Sequence, residues 1–416
     1  MEHEYQRAVT RVCVQTALLL LQHGVESTVV VQMAQRLGIA LGVESVECAL
    51  TANAVVLTTL SDNHCITTAR KNTDKGINMQ MVTDVQRIVI AVEHHLYDLE
   101  IAQRKLDQLK PLKYNRWLVV FMIGLSCAAF AHLSGGDWII CGITFVAAAI
   151  AMFVRQEFSK RHYNPIIVFS ITSFVASLIS GVSLKYNLGN DPQIALASSV
   201  LLLVPGFPLI NSLADILKGY VNMGLGRWTI ATILTFGACL GIVFALSVLH
   251  ITTWGIKMLL DITIFILKLL DDMLFAAIPA VGFALVFNVP PKALKYCAIL
   301  AALGHVTRTL LLHINMPIVF ATFFATCVIG FLGVHLSHRY LAHPKAFTVA
   351  AIIPMIPGVH AYKAMISMVQ IHHFGFSDAL FEQMISSFIN TSFILGAIVF
   401  GLALPSLLFY RQKPVV

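Results

Sequence analysis

The stretch Leu201-Leu-Leu-Val-Pro-Gly-Phe-Pro-Leu-Ile-Asn-Ser-Leu-Ala-Asp215 is apolar enough to lie in a membrane, yet Pro205, Gly206 and Pro208 interrupt it. Proline removes a backbone donor and clashes with the preceding turn, so a helix here must stop and restart. In hydrocarbon each freed backbone group is costly unless protein or a wet cavity satisfies it. A second copy runs from Ile353 to Lys363, with Pro357 and Gly358 at its break. Two interrupted apolar segments at corresponding places in two halves point to the binding site of a transporter.

The composition agrees. The chain is 57% hydrophobic and 12% charged, with a mean hydropathy of +0.79, against roughly 25% charged in soluble proteins. This is an integral membrane protein. Of the 49 Asp, Glu, Lys and Arg residues, 23 fall in residues 1–115, so a soluble domain precedes the membrane domain. The net charge of +7 is a matter of loop positions and gives no nucleic-acid signal. Eight cysteines without a Cys-x-x-Cys pair read as buried reduced thiols. The polar N-terminus carries no basic-then-apolar leader, so no cleaved signal peptide is expected.

Residues 1–115 read as an α/β domain. Helical spacing covers 5–23 and 27–41, three short strands follow within 46–69 with a turn at Ser61-Asp-Asn, and one long helix is expected over 82–109. Ten membrane spans follow: 117–134, 137–154, 165–186, 193–218, 228–250, 273–289, 294–312, 317–335, 346–370 and 384–408. The halves repeat, since a shift of 152 carries Pro165 onto Pro317, Gly181 onto Gly333, Pro205 onto Pro357 and Gly206 onto Gly358. Basic loops fall on alternate sides, which makes the halves, 116–254 and 273–416, inverted five-helix repeats with both termini cytoplasmic. Between them, 255–272 is apolar with five charges on one helical stripe, an amphipathic linker for the outer interface.

The Gln22-His-Gly-Val-Glu-Ser27 turn, the Val204–Asp215 break and the His343–Gly358 segment resemble the threonine/serine exporter family, in particular its two-subunit YjjP/YjjB branch. The resemblance spans essentially the whole chain, as if both subunits were joined near 251–272. It implies export of small organic solutes across a bacterial inner membrane: threonine and serine for one branch, succinate for the YjjP/YjjB branch.

The candidate substrate-binding residues are Pro205, Gly206, Asn211, Asp215, His305, Arg308, Pro357, Gly358 and Lys363. Restarted helices at the two breaks offer positive N-terminal ends to an anion, although such kinks also arise from packing alone. Arg308 is the costliest charge in the membrane domain and either faces a cavity or snorkels to the outer interface. His305 can relay a coupling proton or simply pack as a neutral ring. Lys363 is a ligand or a snorkeller near the basic loop, and Asp215 with Lys218 can equally be a helix-end pair. Asn288 reads as interhelical glue. No phosphate-cradling loop, metal motif or catalytic motif is found, so neither a cofactor nor an enzyme activity is expected. Regulation, gating and homo-oligomer contacts are all open roles for the soluble domain.

The reading is therefore a secondary exporter of small carboxylates, succinate or a related dicarboxylate. Its rivals are a threonine/serine exporter of the same architecture and a membrane-anchored sensor. A transporter is expected to bring His305, Arg308, Asn211 and Lys363 together at one membrane cavity.

Overall fold

The computed structural model describes residues 3–249 and 265–408. Its N-terminal region is α1 (His3–Gln22), α2 (Ser27–Ala40), three strands β1 (Ser45–Leu50), β2 (Ala54–Ser61) and β3 (His64–Lys71), then α3 (Met79–Glu93) and α4 (Leu99–Gln108). The strands form an antiparallel meander in the order β1-β2-β3. The β2–β3 turn is tight because Asp62 and Asn63 both take positive φ, 48° and 63°, as residues with short polar side chains tolerate. Alternation along β2 buries Val55 and Leu57 on the side that packs against α1. Thr10 of α1 hydrogen-bonds Thr59 at 2.7 Å, satisfying two hydroxyls in that core.

The long helix expected over 82–109 is two. His95 takes φ 55°, and Asp98 starts α4 afresh by accepting the Ile101 N–H at 2.8 Å. Val82, Val85, Val89 and Val92 form the buried stripe of α3, while α4 turns away with its own buried Ala102 and Leu106.

The membrane region is mostly helical: α5 (Arg116–Leu133), α6 (Trp138–Lys160), α7 (Pro165–Lys185), α8 (Pro192–Ser199), α9 (Gly206–Leu217), α10 (Val221–Leu249), α11 (Phe265–Val286), α12 (Pro291–His313), α13 (Ile318–Tyr340), α14 (Lys345–Ile352), α15 (Gly358–Phe374) and α16 (Asp378–Leu408). Among the described residues eight helices are long and apolar enough to cross a membrane, or ten if α8 with α9 and α14 with α15 each make one bent span. The bends are 59° and 56°. Two helix pairs have equal length in the two halves: α6 and α12 have 23 residues each and start at 138 and 291, and α8 and α14 have 8 each and start at 192 and 345.

Close packing of α10 on α7 rests on small residues, since a Cβ on Gly237 would approach the Ile166 carbonyl at 3.0 Å. The amphipathic linker expected over 255–272 lies partly outside the described residues. From Phe265 onward it is continuous with α11, so this helix begins before residue 273. Acids are tolerated there because Asp271 accepts from His132 Nε2 at 2.8 Å and Asp272 from the Thr309 hydroxyl at 2.7 Å.

The N-terminal region is fastened to the bundle along the backbone. The N–H groups of Met79 and Gln80 donate to the carbonyls of Phe287 and Asn288, both at 3.0 Å. Asn288, expected to join two helices, instead donates to the Ile77 carbonyl at 3.3 Å. It stands just past the end of α11 with φ 49°, where its amide faces the loop before α3 and no neighbouring span.

Candidate functional site

Both breaks have the same backbone. Pro205 sits at φ −79°, ψ 56° and Pro357 at φ −76°, ψ 55°. In each the following glycine N–H reaches back two residues, Gly206 to Val204 and Gly358 to Ile356, both at 2.8 Å. This is an inverse γ-turn, which satisfies one donor while the chain changes direction. A single turn of tighter helix precedes each, Leu201–Leu203 and Ile353–Met355.

The two breaks cross. A Cβ built on Gly206 would lie 2.7 Å from Ile356 Cδ1, and one built on Gly358 would overlap Leu201 Cδ2. Each glycine therefore makes room for an apolar side chain of the other break. Leu201 and Ile356, with Phe130, line two cavities at once. One cavity, of about 750 Å³, runs beside the α6–α7 turn and includes Arg155, Ser159, His162, Pro205 and Gly206. The other, of about 500 Å³, lies toward the opposite end of α6 and includes Ser134, Asp272, His305, Arg308, Gly358 and His360. An apolar barrier thus separates two chambers, the first largely apolar with Arg155, Ser159 and His162 on its wall and the second more evenly polar.

In the second chamber Arg308 Nη1 donates to the Met355 carbonyl at 3.4 Å, and its Nε has no hydrogen-bond partner. Among the described residues no carboxylate stands within ion-pair distance of it. Asp272 reaches His305 Nδ1 at 3.9 Å. In the first chamber Arg155 Nη1 donates to the Leu202 carbonyl at 3.1 Å and its guanidinium lies over the Phe169 ring at 5.0 Å.

The expected convergence on one cavity does not occur. His305, Arg308, Pro357 and Gly358 share the second chamber, whereas Pro205 and Gly206 line the first, because the crossed side chains of Leu201 and Ile356 divide the space. Lys363 lines neither chamber. Its charge acts on Asp191, whose carboxyl burial pushes up and Lys363 draws back. Asp191 caps the start of α8, so the charge of the lysine is felt at the α7–α8 turn.

Asn211 and Asp215 belong to a third place, the contact with the N-terminal region. Asn211 Nδ2 donates to the Gly24 carbonyl at 2.8 Å, and the Ser27 N–H donates to Asp215 Oδ1 at 2.8 Å. Arg227 pairs with Asp215 at 3.0 Å and donates to the Val25 carbonyl at 2.6 Å. The turn before α2 brings Glu26 into the same contact. One of its oxygens accepts from Lys218 and the other from Lys345, both at 2.8 Å. Lys345 also donates to Asn211 Oδ1 at 2.5 Å. Burial alone would push the Glu26 carboxyl up, but the two ammoniums outweigh it and hold it well below the usual carboxylate range. Lys218 is thus taken by Glu26, and the helix-end pair with Asp215 is not formed.

Sequence reasoning passed over Glu26, Lys345, Arg227 and Arg155. The last three read as ordinary cytoplasmic loop charges. Arg155 carried a signal nonetheless, standing one residue off the repeat shift from Arg308.

Two models of the threonine/serine exporter family match the chain, one over residues 11–249 and one, described as "Threonine/Serine exporter, ThrE", over residues 272–408. An "Uncharacterized protein" of Haemophilus influenzae is 70% identical over 416 residues, 100% of both chains. The "Probable succinate transporter subunit YjjP" of Escherichia coli is 52% identical over 258 residues, 62% of this chain and 99% of that one. A protein of the same description from Klebsiella aerogenes is 52% identical over 253 residues, 61% of this chain and 96% of its own. These subunits account for 62% and 61% of the chain while the second family model covers residues 272–408, as a fusion of two subunits would. No solved structure matches.

Proposed function

Because this multi-pass chain belongs to the threonine/serine exporter family, we propose that it exports a small carboxylate, succinate or a related dicarboxylate, across the bacterial inner membrane. The observation that carries the reading is Arg308, a half-buried guanidinium lining a cavity beside a helix restart, with no carboxylate within ion-pair distance among the described residues. A charge held at membrane depth without a counter-ion is expensive, and an anionic solute would supply the missing partner. The planar fork suits a carboxylate through two parallel hydrogen bonds. The two equal helix pairs and the matched breaks support a repeat of 116–254 and 273–416, and the basic loops read it as inverted, behind a cytoplasmic α/β domain at 1–115. Both termini are then cytoplasmic, Arg308 faces the outer chamber, and His305 beside Asp272 is where a coupling proton would ride.

A second reading draws on Asp272. An acid and a guanidinium in one chamber would suit the zwitterion of an amino acid such as threonine. Asp215, an acid that could otherwise meet an ammonium, is already engaged by Arg227 and Ser27. Efflux from proteoliposomes preloaded with succinate, threonine or a sugar decides between them. Succinate is expected to leave fastest, with Arg308→Gln reducing its rate about tenfold or more at matched protein and Arg308→Lys only in part. Threonine efflux exceeding succinate efflux would move the assignment to the amino-acid branch, and Arg308→Gln rates within twofold of wild type would remove Arg308 from recognition.

A further inference from the structure

We propose that Arg155 forms a second carboxylate subsite, on the far side of the Leu201–Ile356 barrier from Arg308. The inference rests on the carboxylate reading and extends it to the chamber from which cargo would be loaded.

The two arginines are counterparts in position. Each is the eighteenth residue of a 23-residue helix, α6 from Trp138 and α12 from Pro291. Each spends one Nη1 donor on a carbonyl of the tight turn that precedes a break, Leu202 for Arg155 and Met355 for Arg308. Among the described residues, neither has a carboxylate within ion-pair distance. The two lie in chambers that share only the barrier residues Phe130, Leu201 and Ile356. A repeat that places the same cation at the same helix position on both sides of a barrier offers an anion the same grip before and after crossing.

The chamber around Arg155 has the room, and its polar groups are gathered near the arginine in a wall that is otherwise largely apolar. Its volume of about 750 Å³ equals roughly 25 waters at ~30 Å³ each, ample for a four-carbon diacid with some of its hydration. Stacking on Phe169 at 5.0 Å holds the guanidinium plane, so its remaining donors are presented in a fixed fork. Ser159, His162 and Tyr163 line the same space. The acid that also lines it, Asp74, is exposed and adjoins the equally exposed Lys75, so the two offset each other at the rim.

A plainer role is that Arg155 only caps the Leu202 carbonyl. That role predicts lost protein or lost thermal stability and leaves the affinity for cargo alone. Interfacial snorkelling is disfavoured because Lys160 and Arg161, at the end of α6, are the exposed cations there, while Arg155 turns across to the break.

The test uses the full-length protein in proteoliposomes, with efflux measured against internal succinate concentration. Arg155→Gln is expected to raise the KM on the α6–α7 face about tenfold or more, and Arg155→Lys by less, because lysine keeps the charge without the fork. Thermal midpoints measured on the same preparations separate recognition from capping. A KM within twofold of wild type in Arg155→Gln overturns the subsite, whatever happens to protein yield or maximal rate. Should Arg155→Gln not fold, Arg155→Lys decides by the same KM criterion. If wild-type protein moves no carboxylate at all, the exporter reading itself falls and the subsite with it. If wild type moves succinate and only the Arg155 variants are normal, the subsite alone falls.

Discussion

Glu26, in the turn before α2, and Lys345, the first residue of α14, are 319 residues apart in the chain and 2.8 Å apart in space. With Lys218 on the other carboxylate oxygen, this contact ties residues of the first 115 to both broken segments. Its strength should be measurable. Glu26→Gln leaves two ammoniums facing each other without their counter-charge. Removing one partner of a buried pair costs about 3 kcal/mol, the low end applying because the Lys218 side chain is 24% exposed. A lowered thermal midpoint in detergent is expected, and a double-mutant cycle with Lys345→Met should show coupling of about 1 kcal/mol or more. Additive effects would mean the pair contributes nothing beyond its separate residues.

Acidification should loosen the same contact through His343. Its ring is buried, its Nδ1 accepts the Lys345 backbone N–H at 3.1 Å, and burial pushes its pKa down to about 4. Unfolded, it would titrate near 6.5. Between those values the unfolded chain binds the extra proton, so stability falls as pH drops from about 6.5 to about 4, by about 2 kcal/mol at pH 5. Glu26 behaves differently. Its depressed folded-state value keeps its contribution complete above about 4.5 and loses it only as pH falls through that depressed value. Thermal midpoints from pH 7 to pH 5 should therefore fall, with a shallower fall in His343→Asn, whose side-chain oxygen can still accept from Lys345. Equal slopes would assign the loss to other groups.

The crossed breaks make a sharper prediction than glycine substitution alone. Gly358→Ala would push the Leu201 side chain from its seat, and the far end of a leucine can swing away at little cost in stability. Export should drop severalfold while the protein remains folded. Leu201→Ala in the same chain should restore at least half the rate, because the methyl group then has space. No recovery in the double variant would show that Gly358 serves the backbone turn and has no role in the barrier.

Topology can be checked by labelling. Single cysteines at Ser134 and Phe376, both exposed, should react with an impermeant thiol reagent on intact cells. The native Cys65, exposed on β3, and a cysteine at Lys160 should react only after permeabilisation. Labelling of Cys65 from outside would reverse the orientation.

Much of this architecture is legible in the residues, because apolar length and prolines act locally. Pro205 and Pro357 break their helices wherever the helices pack, so both bent spans are readable, whereas α10, α11 and α16 begin six to eight residues before their expected starts, at Val221, Phe265 and Asp378. The break at His95 was hidden, since a helix stop made by one positive φ and an Asp98 cap leaves the apolar period of α3 intact. The site was harder. Asn211 and Asp215 look like solute ligands until the turn at Gly24–Ser27 is seen against them, and nothing local announces a partner nearly 190 residues away. Arg155 sat among Lys160 and Arg161, and loop charge obscured a residue whose counterpart, Arg308, stood out only because its own surroundings were apolar.

Glu26 also acts as a pin through two plates. A carboxylate is rigid, and a hydrogen bond of 2.8 Å tolerates a stretch of only about half an ångström before it weakens. If the two halves rock against each other by more than the flexible four-carbon stems can absorb, Lys218 and Lys345 cannot both follow the pin, and one ammonium must let go. A gradual tilt would then be turned into a discrete step between pinned and unpinned positions. The spacing of those positions is set by the turn before α2, a segment that belongs to neither half of the bundle.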